Sequence, residues 1–531
     1  MARKLRSLLA LPVIVLGCSL LGGFWGSRVS VALAAASDPA AQPVEREVGK
    51  FIQVYNLVNQ NAAQPLDPDK AIYHGAIPGM LETLDPHSNF FDARDYRILM
   101  EEERGRYSGV GMQIGPLNDK TVVMVPFPGS PAYRAGVRPG DVIRFVNDHS
   151  TEGLTTPEVA DLLKGPRNTK VKIGVSREGE KDFVTFNIVR EDIDRKTVSD
   201  GFWLKPGIAY IKISSFGDNT GRELDDSLKH LGESNIKGLV LDMRGNPGGV
   251  LTEAVDVADH FLRKGQTVVS YHGRSSPERI LTARNGNRGR NYPVVVVVNR
   301  NSASAAEIVS GALQDHDRAW ILGEVTFGKG LVQSVINLPE GTGLALTTAH
   351  FYTPSGRLIQ RNYTGMTLYD YYSHEGAIRD PNDVRMTDSG RTVYGGGGIT
   401  PDEDYTTPKL DELEGELYRT VLFDFTRSYF ATHPASITPG WMPDDATVDR
   451  LHSYLTEHHV AFSEAQFKDD QPWIRRYLAR EMYLWTLNVD ESDKVFAQTD
   501  PEIADAVNAM PKAASLVETA RKVTQERMRG Q

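Results

Sequence analysis

Apolar positions in the middle of this chain fall into short dense runs separated by stretches of helical spacing. Ile208 to Ile213, Gly238 to Met243 and Val294 to Val298 are runs of strand length, and Val294 to Val298 has no polar position at all. Between and after them, Leu224 to Leu231, Val250 to Leu262 and the residues following Ser304 carry the spacing of helices. Such alternation predicts an α/β core with reactive residues at strand ends. Upstream, a strand begins within Tyr107 to Ile114, with further strands over Val171 to Val175 and Phe183 to Val189 and a helix over Thr155 to Lys164. Phe51, Tyr55 and Val58 predict a helix beginning near Pro43, and Leu413, Leu417, Val421 and Phe425 open a helical segment that continues through Ala514 to Arg529. The pattern divides the chain into a leader (1–36), an N-terminal helical segment (43–98), an upstream β-rich unit (99–191), the α/β core (192–405) and a helical C-terminal extension (406–531).

The chemistry concentrates where the Val294 to Val298 strand turns into a helix. Ser304 with Glu307 forms a capping box ahead of an apolar run, and most serines in that place only satisfy a free backbone N–H. Lys329, between Gly328 and Gly330, has the setting of an ordinary loop lysine. Together they make a serine nucleophile and an amine base. A hydroxyl must lose its proton to something, and a lysine accepts it only when neutral, which burial favours. Phe327, Leu331 and Val332 offer an apolar setting for that amine. The N–H of Ala305, at the helix start, is placed to stabilise a negative intermediate, and the glycine turn after Gly238 to Met243 offers a second donor.

Four stretches in order, Leu241-Asp242-Met243-Arg244-Gly245-Asn246-Pro247-Gly248-Gly249, Ser302-Ala303-Ser304-Ala305-Ala306-Glu307-Ile308, Gly323 to Gly330 and Tyr352-Thr353-Pro354-Ser355-Gly356-Arg357, resemble the signature of the carboxyl-terminal processing peptidases, the tail-specific serine proteases. The resemblance implies a crotonase-like α/β core, Ser304 as nucleophile, Lys329 as general base and Gln333 as the group that orients the amine. It also implies a role for Asp315, an acid that accompanies the serine and lysine in some members, and oxyanion donors at Ala305 and at Gly248 or Gly249. Heat-shock trypsin-like proteases place their nucleophile in Gly-Asn-Ser-Gly-Gly, where this chain has Pro247. The segment Gly79-Met80-Leu81-Glu82-Thr83-Leu84-Asp85-Pro86-His87-Ser88-Asn89-Phe90-Phe91 also resembles the N-terminal part of the family and reads as a packing device; His87, His316 and His350 read as structural. One departure is the stretch Asn362 to Gly397, which delays the family's closing Gly-Ile-x-Pro-Asp element (Gly398 to Asp402) and is expected to be a surface loop that could lie near the substrate channel.

Tyr107 to Ile114, Pro128 to Ala132 and Ala135 to Ile143 resemble a PDZ domain. Such a unit adds an extended peptide to its strand at Met112 to Ile114 while the N–H groups of Gly109, Val110, Gly111 and Met112 capture the terminal carboxylate.

Composition narrows the partners. A formal charge of −10 argues against nucleic acid, and no HExxH motif or paired Cys/His spacing suggests a metal, so neither metal nor cofactor is expected. Arg3, Lys4 and Arg6 precede an apolar run from Leu8 to Trp25, with small residues at Ala32 to Ala36, the pattern of an export signal. Cleavage at Ala34 or Ala36, retention as a membrane anchor and lipidation at Cys18 remain open, and the expected location is the periplasm or cell envelope. The expected partners are proteins with accessible C-termini; an adaptor or regulator and a homo-oligomer also remain open. The chain therefore reads as an exported serine endopeptidase with a Ser-Lys dyad, against the alternative of a catalytically idle PDZ scaffold that binds protein tails.

Overall fold

The computed structural model of the chain describes residues 41–373, 382–433 and 437–529. The leader, with Arg3, the Leu8 to Trp25 run and Cys18, lies outside the described residues. Residues up to Met80 and from Leu81 onward form two compact units. In the first, Ala41–Asn61 is helical and exposes Val44, Val48, Phe51 and Ile52.

The centre of the second unit is a six-stranded sheet. In spatial order its strands are β1 (Phe202–Lys205), β2 (Ile208–Lys212), β3 (Gly238–Asp242), β4 (Val294–Val298), β5 (Trp320–Gly323) and β6 (Glu403–Asp404). β1 is antiparallel to β2, and every later pairing is parallel. The uninterrupted valines of β4 follow from burial on both faces, as in parallel sheets covered on each side. Val294, Val296 and Val298 pack with Leu239, Leu241 and the helices α1 (Thr220–His230), α2 (Leu251–Asp259) and α3 (Ala305–Asp315). Val295 and Val297 point the other way, with Tyr210, Val240 and Leu322, onto α4 (Pro501–Asn508) and α5 (Met510–Arg529) through Ile503, Ala506, Met510 and Ala513. Side chains alternate across a strand, so one sequence of valines serves two cores.

Because β3, β4 and β5 run parallel, their C-terminal ends open on one edge, and that edge receives Arg244 to Gly249, Asn299 to Ser304 and Glu324 to Gly330. A second, antiparallel sheet joins Asn89–Phe91, Gly343–Tyr352, Thr267–Gly273, Ser276–Thr282 and Leu331–Asn337. Lys329 lies two residues before the last of these strands and Gln333 lies within it.

Upstream, Met112–Leu117 pairs on one side with Lys120–Pro126, and the sheet continues through Val142–Val146, Lys170–Ser176 and Val184–Val189. The helix Thr156–Leu163 covers it, burying Val159 and Leu163 against Val123, Ile143 and Ile173.

The C-terminal extension is helical from Glu412 to Arg529 apart from short connections and the undescribed residues 434–436. Leu417, Phe425, Leu451, Ile474 and Met482 fill its own core. It also touches the upstream unit, where a Cβ on Gly140 would lie 2.5 Å from the Trp485 ring and Arg427 pairs with Glu178 at 3.3 Å.

The stretch after Gln360 departs from the expected surface loop. Leu368–Tyr372 is a helix whose Tyr371 is 1% exposed, and Val384–Met386 pairs with Thr392–Tyr394, burying Val393. The reason is aromatic: Tyr371 packs with Phe327, Ala303 and Tyr363, an apolar pocket that spacing along the chain could not reveal. Residues 374–381 of this stretch lie outside the described residues.

If α4 is a wall of the sheet rather than an appendage, Ile503→Ala should lower stability by about 2–5 kcal/mol through the cavity it leaves. A urea titration followed by intrinsic fluorescence measures this, and an unchanged midpoint would show that α4 does not carry the sheet's second core.

Candidate active site

The turn from β4 into α3 places Ser304 at φ 52°, ψ −110°, a left-handed conformation that a residue with a Cβ rarely adopts. Such strain costs about 1–3 kcal/mol and persists only where the surroundings enforce it. They do so with a dense set of bonds. The Ser302 hydroxyl, fully buried, donates to Met243 O at 2.8 Å and accepts from the Asn299 N–H at 3.0 Å. Ala303 N–H donates to Asn246 O at 2.9 Å, joining this turn to the one after β3.

Glu307, on the first turn of α3, is completely buried. Its Oε2 accepts the N–H of Ser304 at 2.8 Å and that of Lys329 at 2.9 Å. Its Oε1 accepts the Gly328 N–H at 2.7 Å and the Thr326 hydroxyl at 2.5 Å. Burial pushes this carboxyl above its usual range, and the four donors oppose the shift. Reading the sequence as a capping box accounted for one of these four bonds; the other three come from a loop nearly twenty residues away or more.

The Lys329 amine is half-buried, and burial lowers its pKa while Asp85 and Glu307 work against the shift. Nζ donates to Gln333 Oε1 at 2.8 Å, and Gln333 Nε2 in turn donates to His87 O at 2.5 Å. Lys329 and Gln333 are thus brought together, and the segment expected to be a packing device is the wall behind them. The His87 ring is bonded to the Tyr371 hydroxyl at 2.9 Å, and burial, aided by the charge of Lys329, lowers its pKa to about 3. It is therefore neutral at pH 7. The sequence signals missed here were His87 and Tyr371, whose closeness to the lysine depends on contacts across hundreds of residues.

The glycine turn lies against the serine. A Cβ on Gly248 would stand 2.7 Å from Ser304 Cβ and 2.9 Å from Ala305 N, and one on Gly249 would stand 2.0 Å from Phe216 O. Only glycine allows both approaches. The two glycines differ in what their N–H groups do. Gly248 N–H donates to Asn246 Oδ1 at 2.8 Å, whereas Gly249 N–H, like that of Ala305, has no hydrogen-bond partner among the described residues. Phe216 is bonded to Gly248 O and Val250 N–H, so the intervening Gly249 turns its N–H the other way.

Asp315 does not join the group. It ends α3, about 16 Å from Ser304 along the helix at 1.5 Å per residue. There its carboxylate accepts from Arg357 Nη2 at 2.6 Å and from Ser355 N–H at 3.0 Å, with both charged side chains at most 1% exposed.

In the upstream unit, Gly109 ends the strand Arg106–Gly109, and Val110 and Gly111 connect it to Met112. The carbonyls of this loop are engaged inward: Val110 O accepts from Ala132 N–H at 2.8 Å, and Gly111 O accepts from Phe127 N–H at 3.0 Å and the Ser130 hydroxyl at 2.6 Å. The Tyr107 ring lies over Gly109, and burial raises the phenol pKa to about 12.

Residues 207–368 match peptidase family S41, and residues 122–177 match a PDZ domain. The chain is similar to the carboxy-terminal-processing protease of Bartonella bacilliformis, 35% identical over 436 residues that cover 78% of this chain and 98% of that one. It is also similar to the carboxyl-terminal-processing protease of Synechocystis sp., 34% identical over 366 residues, 64% of this chain and 85% of that one. Among solved structures it aligns with a photosystem II D1 C-terminal processing protease at 27% identity and a TM-score of 0.35, covering 69% of this chain and 94% of the other.

The bonding at the two ends of α3 separates two kinds of loss. Asp315→Ala leaves the Arg357 guanidinium buried without its carboxylate and should cost about 3–5 kcal/mol. Glu307→Gln presents an amide to donors that need an acceptor and should cost about 1–3 kcal/mol. Urea unfolding of both variants checks the ranking; equal stability of Asp315→Ala and the parent would contradict the structural role of that acid.

Proposed function

The chain belongs to peptidase family S41, the carboxy-terminal processing proteases, and on that premise we propose that it is an exported endopeptidase with a crotonase-like core in which Ser304 is the nucleophile and Lys329 the general base. The observation that carries the reading is the Glu307 carboxylate, which holds the backbone of both residues at once. Three further features support it. Ser304 occupies a strained turn at the start of a helix, burial favours the neutral Lys329 amine, and Gln333 fixes that amine's direction.

In this reading Lys329 Nζ takes the proton as Ser304 Oγ attacks the scissile carbonyl carbon. The carbonyl oxygen gains the negative charge and is met by the N–H groups of Ala305 and Gly249, which have no hydrogen-bond partner among the described residues. Lys329 then gives its proton to the leaving amine, leaving an ester on Ser304. Water, deprotonated by the same amine, releases the acyl group. Asp315 has no part in these steps; it anchors the far end of α3.

A PDZ domain binds peptide C-termini, and the strand Met112–Leu117, paired on one side with Lys120–Pro126, offers its other edge to an incoming tail. The N–H groups of the Gly109 to Met112 loop would take the tail's carboxylate. Export rests on the charged-then-apolar pattern from Arg3 to Ala36. Among the described residues, no helix is long and apolar enough to cross a membrane. The idle-scaffold alternative gives no reason for a strained Ser304 whose backbone shares the Glu307 carboxylate with that of Lys329.

Two experiments test this. Ser304→Ala and Lys329→Ala should each abolish cleavage of an unfolded protein substrate, with little further loss in the double variant, and Lys329→Arg should be inactive because guanidinium stays protonated. In the parent, kcat/KM should rise with pH through the amine's apparent pKa, which burial places below that of an ordinary lysine. A folded Ser304→Ala protein that still cleaves would end the assignment.

Tail recognition is tested separately by amidating a substrate's C-terminus, which removes the charge that the Gly109 to Met112 loop selects. Affinity measured in the Ser304→Ala background should fall for the amidated peptide. Equal affinity for both forms would exclude carboxylate capture by that loop.

A further inference from the structure

Two acids of the C-terminal extension, which takes no direct part in the proposed reaction, end on the turn that carries Gly249. Arg244 Nη1 donates to Asp500 Oδ2 at 2.9 Å and to Glu502 Oε2 at 2.6 Å. The same guanidinium is held from its own strand, with Nη2 donating to Asp242 Oδ2 at 2.7 Å and Nε to Asp242 Oδ1 at 3.1 Å. Tyr210 completes the cluster by donating its hydroxyl to Asp242 Oδ2 at 2.8 Å. The Arg244 side chain is 19% exposed and its three carboxylate partners 2%, 8% and 3%.

Stability alone does not account for this arrangement. Burying three carboxylates around Arg244, with Arg476 Nη1 4.0 Å from Asp500 Oδ1, carries a desolvation cost that apolar residues of similar size would avoid. Glu502 Oε1 is buried with no hydrogen-bond partner among the described residues, which adds to that cost. What the cluster supplies is direction. A guanidinium bonded on both edges cannot rotate, and Arg244 stands between the last residue of β3 and Gly248.

The acids are themselves held firmly. Asp500 caps α4, its Oδ1 accepting the Glu502 N–H at 3.0 Å, and α4 is seated on β3 and β4 by Ile503 and Ala506 against Val240, Val295 and Val297. From the opposite side the turn is tied to the serine loop by Gly245 N–H on Asn299 Oδ1 at 2.9 Å and by Ala303 N–H on Asn246 O at 2.9 Å.

We propose that Asp500 and Glu502 are positioning residues for the oxyanion turn, holding residues 243–249 through Arg244 so that the Gly249 N–H stays aimed at the developing negative charge. The inference rests on the roles assigned above to Ser304 and Gly249. It gives the extension a task in the reaction without placing any of its atoms on substrate. An oxyanion donor acts on the transition state more than on bound substrate, so its misalignment lowers kcat and leaves KM nearly unchanged.

The experiment uses the full chain and compares two kinds of variant at the same interface. Asp500→Asn with Glu502→Gln removes both charges at nearly constant shape; Met510→Ala loosens the extension against the sheet, away from Arg244. The double variant is expected to lose about tenfold or more in kcat with KM within about twofold of the parent, the scale of an impaired oxyanion donor. Met510→Ala is expected to lower Tm with kcat retained. Parent-like kcat in the double variant, a loss confined to KM, or an equal fall in kcat from Met510→Ala would each overturn the proposal. If the double variant does not fold, Glu502→Gln alone decides it by the same comparison. Cleavage that survives Ser304→Ala would sink the peptidase reading itself, whereas serine-dependent cleavage with an unaffected double variant sinks only this inference.

Discussion

The carboxylate of Glu307 is the joint on which the site depends. It is fully buried and accepts four hydrogen bonds, one from the backbone of Ser304 and the rest from Thr326, Gly328 and Lys329. A buried carboxylate is costly unless its acceptors are filled, so the loop that carries the lysine has one arrangement in which that cost is met. The same bonds hold Ser304 in its left-handed conformation. The backbones of Ser304 and Lys329, the proposed nucleophile and base, are therefore held by one side chain.

Around that joint the parallel sheet does the larger-scale work. Parallel strands deliver three loops to one edge, and their two-sided burial makes the edge rigid because helices pack on both faces. α3 stands on one face and begins at the serine, while α4 stands on the other and begins beside Arg244. The N-terminal Asp85 to Ser88 segment and the Tyr371 helix then enclose the lysine from outside the sheet. Their effect is electrostatic as well as steric, since the burial that lowers the Lys329 pKa also keeps His87 neutral.

Much of this was legible in the residues because it is local. Val294 to Val298 reads as a very apolar strand, and Ser304 with Glu307 ahead of an apolar run reads as the start of a helix. The ordered motifs around Gly248, Ser304, Lys329 and Tyr352 carried the family resemblance, and the match to a relative covered over 98% of its length shows that family. The upstream glycine loop and its following strand pointed to the PDZ domain in the same way.

Tertiary structure decided what depends on partners remote in sequence. Spacing could not tell the Gly248 and Gly249 N–H groups apart, because the difference lies in the Asn246 side chain occupying one and Phe216 orienting the other. Nor could it show that Asp315 spends its charge on Arg357, or that Tyr371 is drawn into an aromatic pocket beside the serine loop. The extension is the extreme case: Arg244 and Glu502 are 258 positions apart, and nothing in either segment alone announces the other. Periodicity and capping record forces that act within a few residues, whereas a buried ion pair or a filled pocket exists only after the chain has packed.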